Sequence, residues 1–163
     1  MYDFRRITRA DYPMLRGWLA QPHIGGWWGP PDKEIALIEQ EVDGGDCQMF
    51  IVLTGGVPFA YVQDWCPHLA GVPHFADAPR GARAVDTFLG DPAYLGRGHA
   101  AGYLRAYAQR LLAAGAPSVV IDPSPDNPRA CAAYRAAGFT DGPIRPCEDG
   151  SDVICMEFSG QTP

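Results

Sequence analysis

Six residues, Leu95-Gly96-Arg97-Gly98-His99-Ala100, lead directly into the strongest helical pattern of the chain. Ala100, Tyr103, Leu104, Tyr107, Ala108, Leu111 and Leu112 recur at helical spacing and stop before Gly115, which predicts one amphipathic helix. Ala84 to Leu89, just upstream, reads as a strand. A glycine-spaced turn that opens a helix lets backbone approach an anion closely, and unpaired N–H groups at the positive end of the helix dipole stabilise its charge. Arg97 and His99 add side-chain donors. Glycine pairs before helices also serve as plain turns, so on these six residues both readings stand. Two phosphate motifs are excluded: the Gly-Lys-Ser/Thr of a Walker loop is missing, and so is the third glycine of a dinucleotide fingerprint.

Turn residues divide the rest into short elements. Thr8 to Leu19 begins with a capping pattern and places Leu15, Trp18 and Leu19 at helical spacing, and Asp32 to Glu41 predicts a second helix. Gln48 to Leu53 and Val57 to Gln63, separated by Thr54, Gly55 and Gly56, predict an antiparallel hairpin. Cys66 to Arg83, with three prolines and two glycines, reads as a long loop. Ser118 to Asp122 predicts a short strand, Asn127 caps a helix whose first residue is Pro128 and whose end is marked by Gly138, and Val153 to Phe158 supplies a last strand.

With 163 residues, 47% of them hydrophobic and 20% charged, the chain has the composition of one globular domain, residues 1–163. A formal charge of −6 and a single lysine, Lys33, argue against a nucleic-acid partner and favour cationic ones. The first residues, Met1 to Ala10, lack the apolar stretch of a secretory signal or membrane span, so no membrane partner is expected and the cytoplasm is the expected location. Cys47, Cys66, Cys131, Cys147 and Cys155 form no CxxC pair, which suggests neither a disulfide framework nor a metal site.

The two glycine-punctuated helices together carry a resemblance. Gly98 and Ala100 match the last two positions of R/Q-x-x-G-x-G/A, motif A of the GNAT acetyltransferases, whereas Leu95 departs from its first. Asn127, Ala130, Tyr134, Gly138 and Phe139 match all of N-x-x-A-x-x-x-Y-x-x-x-G-F, its motif B. The chain thus resembles the GNAT superfamily. Segments around Trp18 to Ile24 with Trp27 and Trp28, around Ala84 to Leu89, and from Asp122 to Asn127 make it most similar to the aminoglycoside 6′-N-acetyltransferases. The resemblance implies a mixed α/β fold, a central, mostly antiparallel sheet flanked by helices and splayed near the phosphate turn. It also implies acetyl-CoA as the cofactor and a small polycationic amine as the substrate.

Acetyl transfer to an amine requires a neutral nitrogen near the thioester carbonyl, a donor for the developing oxyanion and a proton for the departing thiolate. Asp86 is either the acceptor of the amine's proton, the role the resemblance implies, or a strand-end carboxylate that caps a turn. Tyr134 either donates its hydroxyl to the coenzyme sulfur, as the family's tyrosine does, or packs as a helix aromatic. A backbone N–H around Phe88 to Leu89 is the expected oxyanion donor, and Asn127 has two compatible tasks, helix capping and coenzyme contact. The coenzyme-binding set is therefore Phe88, Leu89, Leu95, Gly96, Arg97, Gly98, His99, Ala100, Asn127, Ala130 and Tyr134.

For the acceptor, Asp122 either pairs with an ammonium or caps the next turn, and Trp27 and Trp28 either stack on a sugar ring or serve as core or lid. In the family, Tyr61 and Gln63 face the same substrate as Asp86. Related enzymes carry an extra acid in the loop before Asp86; counting back places Gly71 or Val72 there, with Asp64, His74 and Asp77 as candidate replacements. The leading expectation is acetylation of an aminoglycoside, at the 6′-amine. Its rivals are a siderophore-biosynthesis acyltransferase acting on a hydroxylysine-like amine and a degenerate domain that binds coenzyme A without turnover.

Overall fold

Near-continuous apolar runs, rather than alternation, mark the strands that are covered on both faces. The computed structural model describes residues 1–160. Strands β1 (Tyr2–Arg6), β2 (Gln48–Thr54), β3 (Val57–Trp65), β4 (Arg83–Leu89), β5 (Val119–Ile121), β6 (Phe139–Pro146) and β7 (Asp152–Phe158) are joined in the order β1-β2-β3-β4-β5-β7-β6. β4 and β5 run parallel, whereas β1–β2, β2–β3, β5–β7 and β6–β7 are antiparallel. This is the expected mixed α/β architecture with a mostly antiparallel open sheet. The chain forms two compact units, residues 1–64 with 86–97, and residues 65–85 with those from Gly98 onward, so that β4 contributes its two halves to different units.

In the first unit, β2 is buried from Met49 to Val52, as a strand between two neighbours must be. A bulge between Val52 and Leu53 shifts the β2–β3 register at Pro58, whose ring could not donate to an unbroken ladder. Helices α1 (Tyr12–Leu19) and α2 (Pro31–Glu41) send Leu15, Trp18, Leu19, Ile35 and Ile38 into a core shared with Ile51, Tyr61 and Phe88. The expected cap at Thr8 is present: Asp11 Oδ2 accepts from the Thr8 backbone N–H at 2.8 Å and from its hydroxyl at 3.1 Å, although the first turn, Arg9–Asp11, is 3-10 rather than α.

In the second unit, α4 (His99–Ala113) buries Tyr103, Leu104, Tyr107 and Ala108, the stripe expected from its spacing. Helix α5 (Pro128–Ala137) begins and ends as its sequence dictates. The Asn127 side chain accepts from the Ala130 N–H at 3.1 Å, Pro128 opens the first turn, and Gly138 terminates the helix at φ +109°. The Arg105 guanidinium of α4 donates to the carbonyls of Ala137 at 3.1 Å and Ala136 at 2.6 Å, satisfying acceptors that a helix end leaves orphaned.

One segment and both edge strands depart from expectation. The Cys66 to Arg83 segment is not a featureless loop, because Pro67 starts the short helix α3 (Pro67–Ala70) and Pro73 starts a 3-10 turn (Pro73–Phe75). β1 and β6 carry no readable apolar pattern because they end the strand order and are mostly exposed. No helix of the described residues is long and apolar enough to cross a membrane.

Candidate active site

In the first unit a relay of side chains leads to Asp86. The half-buried Asp86 on β4 accepts a hydrogen bond through Oδ2 from Gln63 Nε2 on β3 at 2.8 Å, and Gln63 Oε1 accepts from the Tyr61 hydroxyl at 2.7 Å. Because a carboxylate accepts, the NH₂ group of Gln63 faces Asp86, which leaves its Oε1 to accept from the phenol. Tyr61 is fully buried, its ring stacked on Phe88 at 5.1 Å and met edge-on by Trp28 at 6.2 Å. Tyr61, expected to face the substrate, is buried and reaches the surface of β3 only through its hydrogen bond to Gln63. Thr87 fixes the same pair of strands by donating its hydroxyl to the Tyr61 carbonyl at 2.5 Å.

The two tryptophans separate. Trp28 is half-buried and edge-on to Phe88 at 5.0 Å, so it packs with the aromatic core, whereas Trp27 remains 47% exposed. Phe88 likewise buries its side chain, and the Leu89 carbonyl accepts from His23 Nε2 at 2.8 Å. This fixes the backbone whose N–H groups are the expected oxyanion donors.

The turn from Leu95 to Ala100 has the backbone that its glycines predict. Gly96 and Gly98 lie at φ +70° and +77°, where other residues are strained, and a Cβ built on either would meet nothing within 4 Å. The glycines are thus required by conformation, and the space before them is open. α4 begins at His99 with no acidic residue in its first turn, so its own side chains do not neutralise the positive end of the dipole. Open space, left-handed glycines and unneutralised N–H groups suit the pyrophosphate of coenzyme A. The parallel ladder upstream consists of Arg83↔Val119 and Ala84↔Val120 alone, although β4 runs on to Leu89.

In the second unit, Asn127 serves as the cap, Ala130 is partly exposed on the first turn of α5, and Tyr134 is half-buried with its ring 6.4 Å from Phe139. Asp122, immediately after β5, accepts through Oδ2 from His74 Nε2 at 2.7 Å. Position 74 had entered the sequence reading only as a candidate replacement for the missing loop acid; no spacing signal links it to position 122. The other candidates have different tasks. Asp77 pairs with Arg145 at 2.5 Å, Asp64 is buried on β3, Gly71 forms the left-handed end of α3, and Val72 is buried.

This fold and these two motifs define an acetyltransferase, and the chain belongs to the GNAT family: the family's acetyltransferase domain matches residues 8–145. Membership makes it an acetyl-CoA-dependent N-acetyltransferase. Within the family the chain is 30% identical to the aminoglycoside N(6′)-acetyltransferase type 1 of Klebsiella pneumoniae, over 94% of this chain and 81% of that protein. The protein of the same name from Serratia marcescens matches equally. Among solved structures, aminoglycoside acetyltransferase AAC(6′)-Ib in complex with coenzyme A and kanamycin superposes with a TM-score of 0.83 at 26% identity, over 99% of this chain and 95% of that one. The same enzyme with paromomycin and acetyl-CoA superposes with a TM-score of 0.82.

Proposed function

We propose that the chain acetylates an amino group of an aminoglycoside, the 6′-amine, and that residues 1–163 act as one GNAT-type domain. The observation that carries this reading is the Asp86 carboxylate, held at 2.8 Å by the Gln63 amide, which itself accepts from a buried phenol. A carboxylate so restrained binds an ammonium group and accepts its proton with little reorganisation. The names of the relatives favour an aminoglycoside over a hydroxylysine-like amine, and the net charge of −6 suits a polycation.

In this reading acetyl-CoA supplies an activated acetyl group. The N–H groups of Gly96 to Ala100 and the first turn of α4 bind its pyrophosphate, while Arg97 and His99 add donors. Leu95, which cannot contribute the polar side chain common at that position, leaves the task to the backbone. Asn127 and Ala130 line the coenzyme from α5. With acetyl-CoA bound, Asp86 would take the proton that the amine loses as the C–N bond forms, a backbone N–H at Phe88 or Leu89 would donate to the thioester carbonyl oxygen, and the Tyr134 hydroxyl would give its proton to the sulfur as the C–S bond breaks. Asp122 holds a second ammonium, Trp27 covers a sugar ring, and Gln63, Tyr61 and Trp28 support Asp86 from behind. The end of the β4–β5 ladder at Ala84 supports a sheet splayed beside the phosphate turn. The five unbridged cysteines suit a cytoplasmic setting.

The test is thiol release from acetyl-CoA with kanamycin, ribostamycin, lysine derivatives and polyamines, with the acetylated nitrogen located by NMR. Turnover on the aminoglycosides at the 6′-amine is expected. Turnover on lysine derivatives with none on aminoglycosides refutes the assignment of substrate.

A further inference from the structure

His74 is a buried titratable side chain that the reaction above leaves without a task. It sits in the 3-10 turn Pro73–Phe75 with 2% of its side chain exposed, and its ring lies 4.5 Å from that of Phe75. Its backbone is anchored as well. The His74 carbonyl accepts from Arg145 Nη1 at 3.1 Å and from the Cys155 thiol at 3.4 Å, and Arg145 is held in turn by Asp77. The backbone that carries the imidazole is thus held at its carbonyl, and the ring itself is held by its bond to Asp122.

That orientation is directed at a carboxylate. His74 Nε2 lies 2.7 Å from Asp122 Oδ2, and since an ionised carboxylate has no proton to give, Nε2 carries the hydrogen. Asp122 keeps 21% of its side chain exposed, and Oδ1 accepts no hydrogen bond among the described residues. The donor is buried and the acceptor partly exposed, an arrangement that orients one carboxylate oxygen and leaves the other to solvent or to a cation.

We propose that His74 is a positioning residue for acceptor specificity: by holding Oδ2 of Asp122 it presents Oδ1 as a fixed, single acceptor for a substrate ammonium group. This rests on the reading of the chain as an acetyltransferase of polycationic amines. On the far side of the ring, Glu148 Oε2 lies 3.8 Å from Nδ1. The imidazole therefore stands between two carboxylates, with Arg145 and its partner Asp77 beyond its carbonyl and Cys155 kept as a thiol by burial, which pushes its titration upward. Replacing His74 releases Asp122 to rotate and to meet water, which weakens cation binding and leaves the coenzyme side untouched.

The experiment compares wild type, His74→Phe and His74→Gln in steady state with kanamycin, ribostamycin, a lysine derivative and spermidine. His74→Phe keeps the aromatic packing against Phe75, and His74→Gln keeps an N–H donor. The expected result is a rise of roughly tenfold in KM for the cationic acceptor in His74→Phe, with kcat and the acetyl-CoA KM within twofold. His74→Gln should recover most of the acceptor KM, and His74→Phe should add nothing further in an Asp122→Asn background. Equal rises in both KM values, no recovery in His74→Gln, or full additivity with Asp122→Asn overturns the proposal, as does an unchanged KM. If His74→Phe does not fold, the recovery of KM in His74→Gln relative to His74→Ala decides. Wild type answers the separate question of substrate: turnover only on spermidine or the lysine derivative refutes the aminoglycoside assignment, and the same KM comparison is then read on that amine.

Discussion

Asp86→Asn separates charge from shape at the proposed base. Gln63 Nε2 uses Asp86 Oδ2 as its acceptor at 2.8 Å, while Gln63 Oε1 accepts from the Tyr61 hydroxyl. Asparagine supplies that acceptor through its own Oδ1, so the relay, the strand and the aromatic core beneath it persist. What disappears is the negative charge and the capacity to take a proton. Exchanging an ionic for a neutral acceptor costs about 1 kcal/mol of stability, a shift of about 2–4 °C in Tm for a chain of this size. Losing a positioned general base costs roughly 10²-fold or more in kcat/KM, which is about 2.7 kcal/mol or more of transition-state stabilisation. The assay is thiol release at saturating acetyl-CoA over a range of pH, run beside thermal unfolding. The expected variant keeps its Tm to within those few degrees, retains coenzyme A binding, loses two orders of magnitude in rate and loses the acidic limb of its pH profile. A variant within threefold of wild type at unchanged Tm would refute the reasoning and return Asp86 to the role of a structural acceptor for Gln63.

Tyr134→Phe should lower kcat while leaving the dissociation constant of acetyl-CoA within about twofold by calorimetry; lost binding with an unchanged rate per bound enzyme would make Tyr134 a packing residue. The Arg5 guanidinium, donating to both Asp11 oxygens at 3.0 and 2.7 Å, is the main cause that holds the Asp11 carboxyl below its ordinary value, against an opposing push from burial. A lowered folded-state value means that this stabilisation is present above the unfolded carboxylate range near pH 4 and is lost as pH falls through the lower folded value. Asp11→Asn should therefore lower the urea midpoint at pH 7, by the equivalent of about 1 kcal/mol, and cease to differ from wild type in strong acid; a difference that persists there contradicts the linkage. Gly90→Ala places a Cβ 2.1 Å from Trp18 Cδ2, inside a core where that indole already meets Phe88 edge-on at 6.4 Å. The expected cost is about 1–3 kcal/mol by chemical denaturation, and an unchanged midpoint would show that Trp18 yields freely.

Which parts of this molecule could be read in advance follows from how locally each is specified. Helix α5 was legible to its last residue, because Asn127, Pro128 and Gly138 each act on backbone within one turn of themselves. β6 was not, because Gly142 with Pro143 reads as turn punctuation. In the strand, Gly142 sits where the β6–β7 register breaks between Asp141 and Ile144, and a Cβ there would stand 2.3 Å from the Cys155 carbonyl oxygen. That glycine answers to a close approach of backbone from another part of the chain, which no local pattern encodes. The prolines of the Cys66 to Arg83 segment misled in the opposite sense: Pro67 and Pro73 open short helices instead of forbidding them.

The same distinction divides the two halves of the proposed reaction. Coenzyme recognition is written in backbone, through glycines and helix N-termini whose geometry is fixed by residues a few positions apart, so Gly96, Gly98 and Asn127 announce it wherever the chain is read. Acceptor recognition is written in side chains brought together over distance: Gln63 reaches Asp86 across 23 residues and His74 reaches Asp122 across 48. No local pattern links the two members of such a pair. Acceptor recognition is therefore expected to be less legible in the sequence than coenzyme recognition, and the proposed role of His74 is tested at one such pair.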